Sequence, residues 1–238
     1  MDNAGYTTLT RQSGLMREMQ MIAHNVANSA TQGYRSENMV FSEHVKRLDG
    51  DDAPSLSMAE GNTFYNSDIQ GGVSATGGKF DFAIEGDGYF LIETPDGEAL
   101  TRAGNFTPSA EGELVTADGL RVLDAGGAPI FIPPNAAISV ASDGTISADD
   151  QPIAQLGLWR PGEITDVTRR EGVLFDLTAA PVAVENGVIL QGHLEGSNVD
   201  PIAQIARMIE VQRAYEMGQS FLEKEDGRIR AVLTTLGR

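Results

Sequence analysis

Asp200-Pro201-Ile202-Ala203-Gln204-Ile205-Ala206-Arg207-Met208-Ile209-Glu210-Val211-Gln212-Arg213-Ala214-Tyr215 opens the stretch that decides the fold. An acid able to cap backbone N–H groups stands directly before a proline, and proline suits the first helical position, where its missing N–H is no loss. A heptad follows. One series holds Ile205, Gln212, Gln219, Asp226 and Leu233, and its partner holds Met208, Tyr215, Leu222, Ile229 and Leu236. The second series is apolar throughout. The first is polar at three successive sites, and polar residues in a coiled-coil seam exchange stability for register and partner choice. Unbroken from Pro201 to Leu236, such a helix would run about 54 Å at roughly 1.5 Å per residue, too long to hide in one small core. Gly218 and Gly227 each weaken an isolated helix by about 1 kcal/mol, so the segment needs a partner to be fully helical. Periodicity leaves open whether that partner is another helix or the chain's own middle.

A second stripe lies at the other end. Leu15, Met19, Ile22 and Val26 follow one another at steps of four, three and four, with Met16 and Ala23 alongside and no proline between Tyr6 and Asn28. This is the period of one helix face. The pattern stops at Thr31-Gln32-Gly33, where glycine can take the left-handed conformation that ends a helix. Residues 36–78 read as a linker or extended segment; within them Leu48-Asp49-Gly50-Asp51-Asp52-Ala53-Pro54 has the composition of an exposed loop.

From 79 to 193 the character changes to short apolar runs between turn dipeptides, with Asp-Gly at 87–88, 96–97, 118–119 and 143–144. Tyr89 to Thr94, then Pro95-Asp96-Gly97, then a second run to Arg102 is a hairpin signature. Further strands are expected at 114–116, 138–140, 155–159 and 182–184. No helical pattern of about 10–15 residues separates the strands, so this region reads as an all-β domain and not a parallel α/β sheet.

The 238 residues carry a net charge of −17, and that charge is confined. Residues 48–200 hold 6 of the 17 basic and 25 of the 34 acidic residues, net −19, while each end sits near +1. A surface of that sign repels phosphate backbones and anionic lipid, which argues against nucleic-acid and membrane-surface roles. Cysteine is absent, which removes disulfides, thiolate metal sites and cysteine nucleophiles. The start, Met1-Asp2-Asn3-Ala4-Gly5-Tyr6, lacks the basic and apolar regions of a secretory signal, and no run approaches the roughly 18 apolar residues of a membrane span.

Catalytic and cofactor chemistry finds little footing. Gly72-Val73-Ser74-Ala75-Thr76-Gly77-Gly78-Lys79-Phe80 misses the phosphate-loop spacing by one position and ends in Phe. His24, His44 and His193 have no metal-ligand spacing, and there is no Gly-x-Ser-x-Gly elbow. Asp51-Asp52 and Asp149-Asp150 lack calcium-loop spacing and read as solvated charge. Glu85, Asp87 and Arg102 read as strand-edge or turn residues. No catalytic residue, cofactor or metal is expected.

Ile22-Ala23-His24-Asn25-Val26-Ala27-Asn28-Ser29-Ala30-Thr31-Gln32-Gly33-Tyr34-Arg35 resembles the N-terminal signature of the bacterial flagellar rod and hook family. Leu194-Glu195-Gly196-Ser197-Asn198-Val199 and Met208 to Glu216 are similar to its C-terminal signature, and Phe82 to Phe90 with Thr101 to Phe106 to its central β motif. The four matches fall in order across nearly the whole chain. The Met1-Asp2-Asn3-Ala4 start and the short linker look most like a proximal-rod member, with a distal-rod member as second choice.

The resemblance implies an α+β fold: a discontinuous helical coiled-coil domain from residues 1–35 and 194–238, and the all-β domain of 79–193 outside it. It further implies a non-enzymatic rod subunit whose partners are other rod proteins and copies of itself, exported through the flagellar type III apparatus without a cleaved signal. Expected at the subunit interface are Leu15, Met19, Ile22 and Val26 from the first stripe, Asn25, Asn28, Gly33, Tyr34 and Arg35 from the signature that follows it, and Ile205, Met208, Gln212, Tyr215, Gln219, Leu222, Ile229, Leu233 and Leu236 from the second stripe. Asn25 and Asn28 are expected to satisfy backbone groups where the helix ends. Gly33 reads as a backbone requirement, and Tyr34 and Arg35 as either an interface anchor or an exposed pair after a turn. On the residues alone two other classes stay open: a hydrolytic or glycan-active β domain with two converging carboxylates, and an extracellular binding module.

Overall fold

The computed structural model describes residues 2–46, 56–163, 167–170, 172–185 and 187–236. The Leu48–Pro54 loop, with Asp51 and Asp52, lies outside the described residues. The chain is α+β and divides into two units, one built from Met1–Ala27, Ser36–Ser67 and Val199–Arg238, the other from Asn28–Arg35 and Asp68–Asn198.

The first unit holds both helices. α1 spans Asp2–Ala27 and α2 spans Pro201–Leu236. α2 starts at its proline, and the Asp200 carboxylate accepts the N–H of Ile202 at 2.9 Å and of Ala203 at 3.2 Å. That satisfies two donors which have no partner within the helix. Leu15, Ile22 and Val211 form the centre of an apolar cluster, surrounded by Met19, Met21, Val26, Met208, Ala214 and Tyr215. The two helical stripes therefore pack on each other.

Residues 36–78, read from sequence as a linker or extended segment, hold two extended strands that pair with each other. β1 (Glu37–Lys46) and β2 (Leu56–Asn66) pair as a long antiparallel hairpin, from Glu37 opposite Asn66 to Lys46 opposite Leu56. The signal was present in Met39-Val40-Phe41 and Thr63-Phe64-Tyr65, β-branched and aromatic runs diluted by polar neighbours. Ser67 donates its N–H to the Ser36 carbonyl at 2.8 Å and closes the base of the hairpin.

The second unit is built from strands and the turns between them, with no helix among its described residues. Its largest sheet has seven strands; the central pair is β5 (Phe90–Thr94) and β6 (Gly97–Thr101), joined at Pro95-Asp96 as the turn residues require. Side chains alternate across this hairpin and fill both faces. Phe90 and Ile92 enter a large cluster with Phe82, Ile84, Phe106, Leu114 and Ile146, while Leu91, opposite Leu100, enters a second with Leu123 and Phe175. The strand expected at 155–159 is instead split between Gln151–Gln155 and Trp159–Arg160.

Candidate assembly face and the Glu195 charge cluster

Along α2 the covered and partly covered positions are Gln204, Met208, Val211, Tyr215, Gly218, Leu222 and Glu225, alternating steps of four and three, with Ala214 beside them. The Met208–Tyr215–Leu222 series thus lies on the intrachain seam. Its partner series is displaced by one residue from the sequence reading: Gln204, Val211, Gly218 and Glu225 occupy it, whereas Gln212 and Gln219 are exposed and Ile205 is 49% exposed. The reason is chemical. Only one of the four true seam residues, Val211, is apolar, so hydropathy could not select them. At Gly218 an added Cβ would lie 3.1 Å from the Gln12 amide nitrogen, so the Gln12 side chain packs directly over this position.

Polar ties fix the direction of the pair. Gln12 donates to the Tyr215 carbonyl at 3.3 Å, and the buried carboxylate of Glu18 pairs with Arg207 at 2.7 Å. Advancing along α1 means retreating along α2, so the helices are antiparallel. Glu18's hydrogen bond holds the Arg207 guanidinium above its ordinary pKa. Since α1 has 26 residues and α2 has 36, the pairing ends before α2 does, and every described residue from Asp226 onward is exposed. Ile229, Val232, Leu233 and Leu236 are apolar members of that stretch, Leu236 at 79% exposure.

Asn25 is fully buried, and its role is tertiary. Its amide donates to the Glu37 carbonyl at 2.8 Å and its oxygen accepts the Glu37 N–H at 2.9 Å, so it ties α1 to the first residue of the hairpin. Asn28 does act locally, accepting the Thr31 hydroxyl at 3.1 Å and, through its carbonyl, the Thr31 N–H.

Tyr34 and Arg35 depart from both sequence readings. Their exposures are 0% and 1%, and they lie inside the β unit, neither on an open surface nor in a solvated turn. Arg35 pairs with Glu195 at 2.9 Å and donates to the Asp68 carbonyl at 2.7 Å. The other Glu195 oxygen receives Arg102 at 3.3 Å, and Arg102 also donates to the Gly86 carbonyl at 2.7 Å. The Gly71 N–H completes the set on Glu195 at 3.1 Å. Arg102 is therefore a buried ion-pair member and no strand-edge residue. Burial first, and the neighbouring Arg35 charge second, lower its pKa against the pull of Glu195. Tyr89, whose ring lies 5.1 Å from the Arg102 guanidinium, has its phenol pushed up by burial.

Gly33 is required on two counts. Its φ is +69°, and a Cβ would lie 2.3 Å from the Ala103 nitrogen, while its N–H donates to the Glu195 carbonyl at 2.8 Å. Glu195, Arg102, Glu18 and Val211 were not selected from sequence. A signal for the first two existed: Arg35, Arg102 and Glu195 are charges of complementary sign in otherwise uncharged motifs, where a lone charge would be costly to bury.

Comparison with known proteins gives the context of these features. Residues 83–148 match the family described as flagellar hook protein FlgE/F/G D1 domain, and residues 190–235 match the flagellar basal body rod FlgEFG protein C-terminal family. Among curated proteins, the flagellar basal-body rod protein FlgF of Mesorhizobium japonicum is 37% identical over 241 residues, covering 100% of this chain and 99% of the relative. FlgF of Caulobacter vibrioides is 36% identical over 245 residues, with the same coverage, and FlgG of Agrobacterium fabrum is 33% identical, covering 87% of this chain and 89% of that protein. With similarity extending over its full length, the chain belongs to the flagellar basal-body rod protein family, whose members are structural proteins and not enzymes.

Proposed function

We propose that this chain is a FlgF-type subunit of the proximal rod, joined to other rod proteins and to copies of itself by coiled-coil packing of its terminal helices, and that it transmits torque through them. It leaves the cell through the flagellar type III apparatus. The observation that carries this reading is the uncovered end of α2. Ile229, Val232, Leu233 and Leu236 continue the helix beyond the reach of α1 and remain exposed, and Ile202, Ile205 and Ile209 are exposed near its start. Apolar faces of this kind mark interaction surfaces, because a chain that stayed monomeric would gain nothing from them. The full-length match to FlgF proteins of similar length supports the subtype.

A double substitution, Leu233→Asp with Leu236→Asp, tests the assignment. Both side chains are exposed, so helix content and Trp159 fluorescence should be those of the parent. Basal bodies isolated from cells carrying only the variant should lack the subunit, and the cells should not swim. Normal incorporation of a folded variant would remove this face from the assembly.

A further inference from the structure

The chain passes between its two units four times, at 27/28, 35/36, 67/68 and 198/199. On the β-unit side, all four passages are tied to Glu195 within a few residues. Gly33 donates its N–H to the Glu195 carbonyl, and Arg35 binds the Glu195 carboxylate and the Asp68 carbonyl. Gly71 donates to the same carboxylate, and Gly196 donates to the Gly72 carbonyl at 2.8 Å. Asn198, the last residue before the fourth passage, donates its N–H to the Tyr34 carbonyl and its amide to the Ile69 carbonyl at 2.8 Å. Arg102, directly after β6, then joins this cluster to the seven-stranded sheet.

We propose that the Glu195–Arg35–Arg102 cluster is a mechanical clamp, through which force applied to the helices enters the β sheet. Strands that leave a domain singly peel off one hydrogen bond at a time. Here the exits meet around one buried residue, Glu195, through its carboxylate, its carbonyl and the backbone beside it, so they are held together until the cluster opens, and Arg102 carries load into the sheet beside Arg169 of the same sheet, which donates to the Arg35 carbonyl. Each of the three side chains is at most 4% exposed, so water does not compete for the bonds. Removing one member of a buried ion pair strands the others, a perturbation that makes opening on the order of 100-fold more frequent. The clamp is a property of the single chain and is independent of the rod assignment.

The test is forced unfolding of the full chain. Because the parent contains no cysteine, handles can be placed at will. One pair, Asp118→Cys with Gln219→Cys, pulls from the sheet to α2; a control pair, Glu98→Cys with Asp118→Cys, pulls within the sheet. In the first geometry Glu195→Gln should rupture at clearly lower force than the parent, with the control geometry unchanged. Equal forces for parent and variant in the first geometry, or the same loss in both, would overturn the clamp. Should Glu195→Gln not fold by Trp159 fluorescence, Arg102→Lys replaces it; this variant keeps the charge and loses the forked geometry, and the same two outcomes decide.

Discussion

Replacing Gly33 with alanine separates backbone strain from packing in a way the structure makes quantitative. The left-handed φ of +69° costs an L-residue about 1–2 kcal/mol. The new Cβ would also sit 2.3 Å from the Ala103 nitrogen, 2.5 Å from the Arg102 carbonyl carbon and 2.6 Å from the Ala103 Cα, all backbone atoms that cannot rotate away. Overpacking of that kind adds about 1–3 kcal/mol, for a sum of roughly 2–5 kcal/mol. Gly77 is the matched control, because its φ is +72° and nothing lies within 4 Å of the place an added methyl would take, so Gly77→Ala should lose only the strain. Guanidinium denaturation followed by the single tryptophan, Trp159, reports on the β unit. Gly33→Ala should be the less stable variant by about 1–3 kcal/mol. Two variants equal within about 0.5 kcal/mol would mean that Ala103 yields freely and that the close approach contributes nothing.

Three further outcomes are expected. Ile22→Ala, at a fully buried site of the helix pair, should cost about 2–5 kcal/mol, read as a loss of helical circular dichroism at lower denaturant while Trp159 reports an unchanged β unit. Asp150→Gly should stabilise the β11–β12 turn, between Thr145–Ala148 and Gln151–Gln155, by about 1 kcal/mol. Asp149 and Asp150 both have positive φ, at 50° and 64°, and only Asp149 has a cross-connection, accepting the Ala137 N–H. The raised pKa of Tyr89 means that its neutral form is favoured in the folded chain. Its contribution is complete below the unfolded tyrosine pKa of about 10 and is lost as pH climbs towards the folded value, so unfolding free energy should fall above about pH 10, less steeply in Tyr89→Phe. Denaturation curves at a series of alkaline pH values would check the difference in slope.

The outline of the fold was legible where a single local rule decides. The cap and proline at Asp200-Pro201 place the start of α2, the stripe from Leu15 to Val26 reveals the buried face of α1, and Pro95-Asp96-Gly97 sets the β5–β6 hairpin. The β1–β2 hairpin was hidden because Glu, Ser, Asn and Gly outnumber its β formers, and its stability comes from long-range pairing and from Asn25, twelve residues away from the strand it holds.

Sequence alone determined the two helices, the β character of residues 79–193 and the confinement of net negative charge to the middle, because propensity, capping and composition act over a few neighbouring residues. Tertiary structure decided the seam register of α2, where Gln204, Gly218 and Glu225 are covered and Gln212 and Gln219 are not. It also decided that Tyr34 and Arg35 lie in the interior with Glu195, about 160 residues further along the chain. A buried charge is tolerated only when its partner arrives in space, and no local pattern records which distant residue that will be.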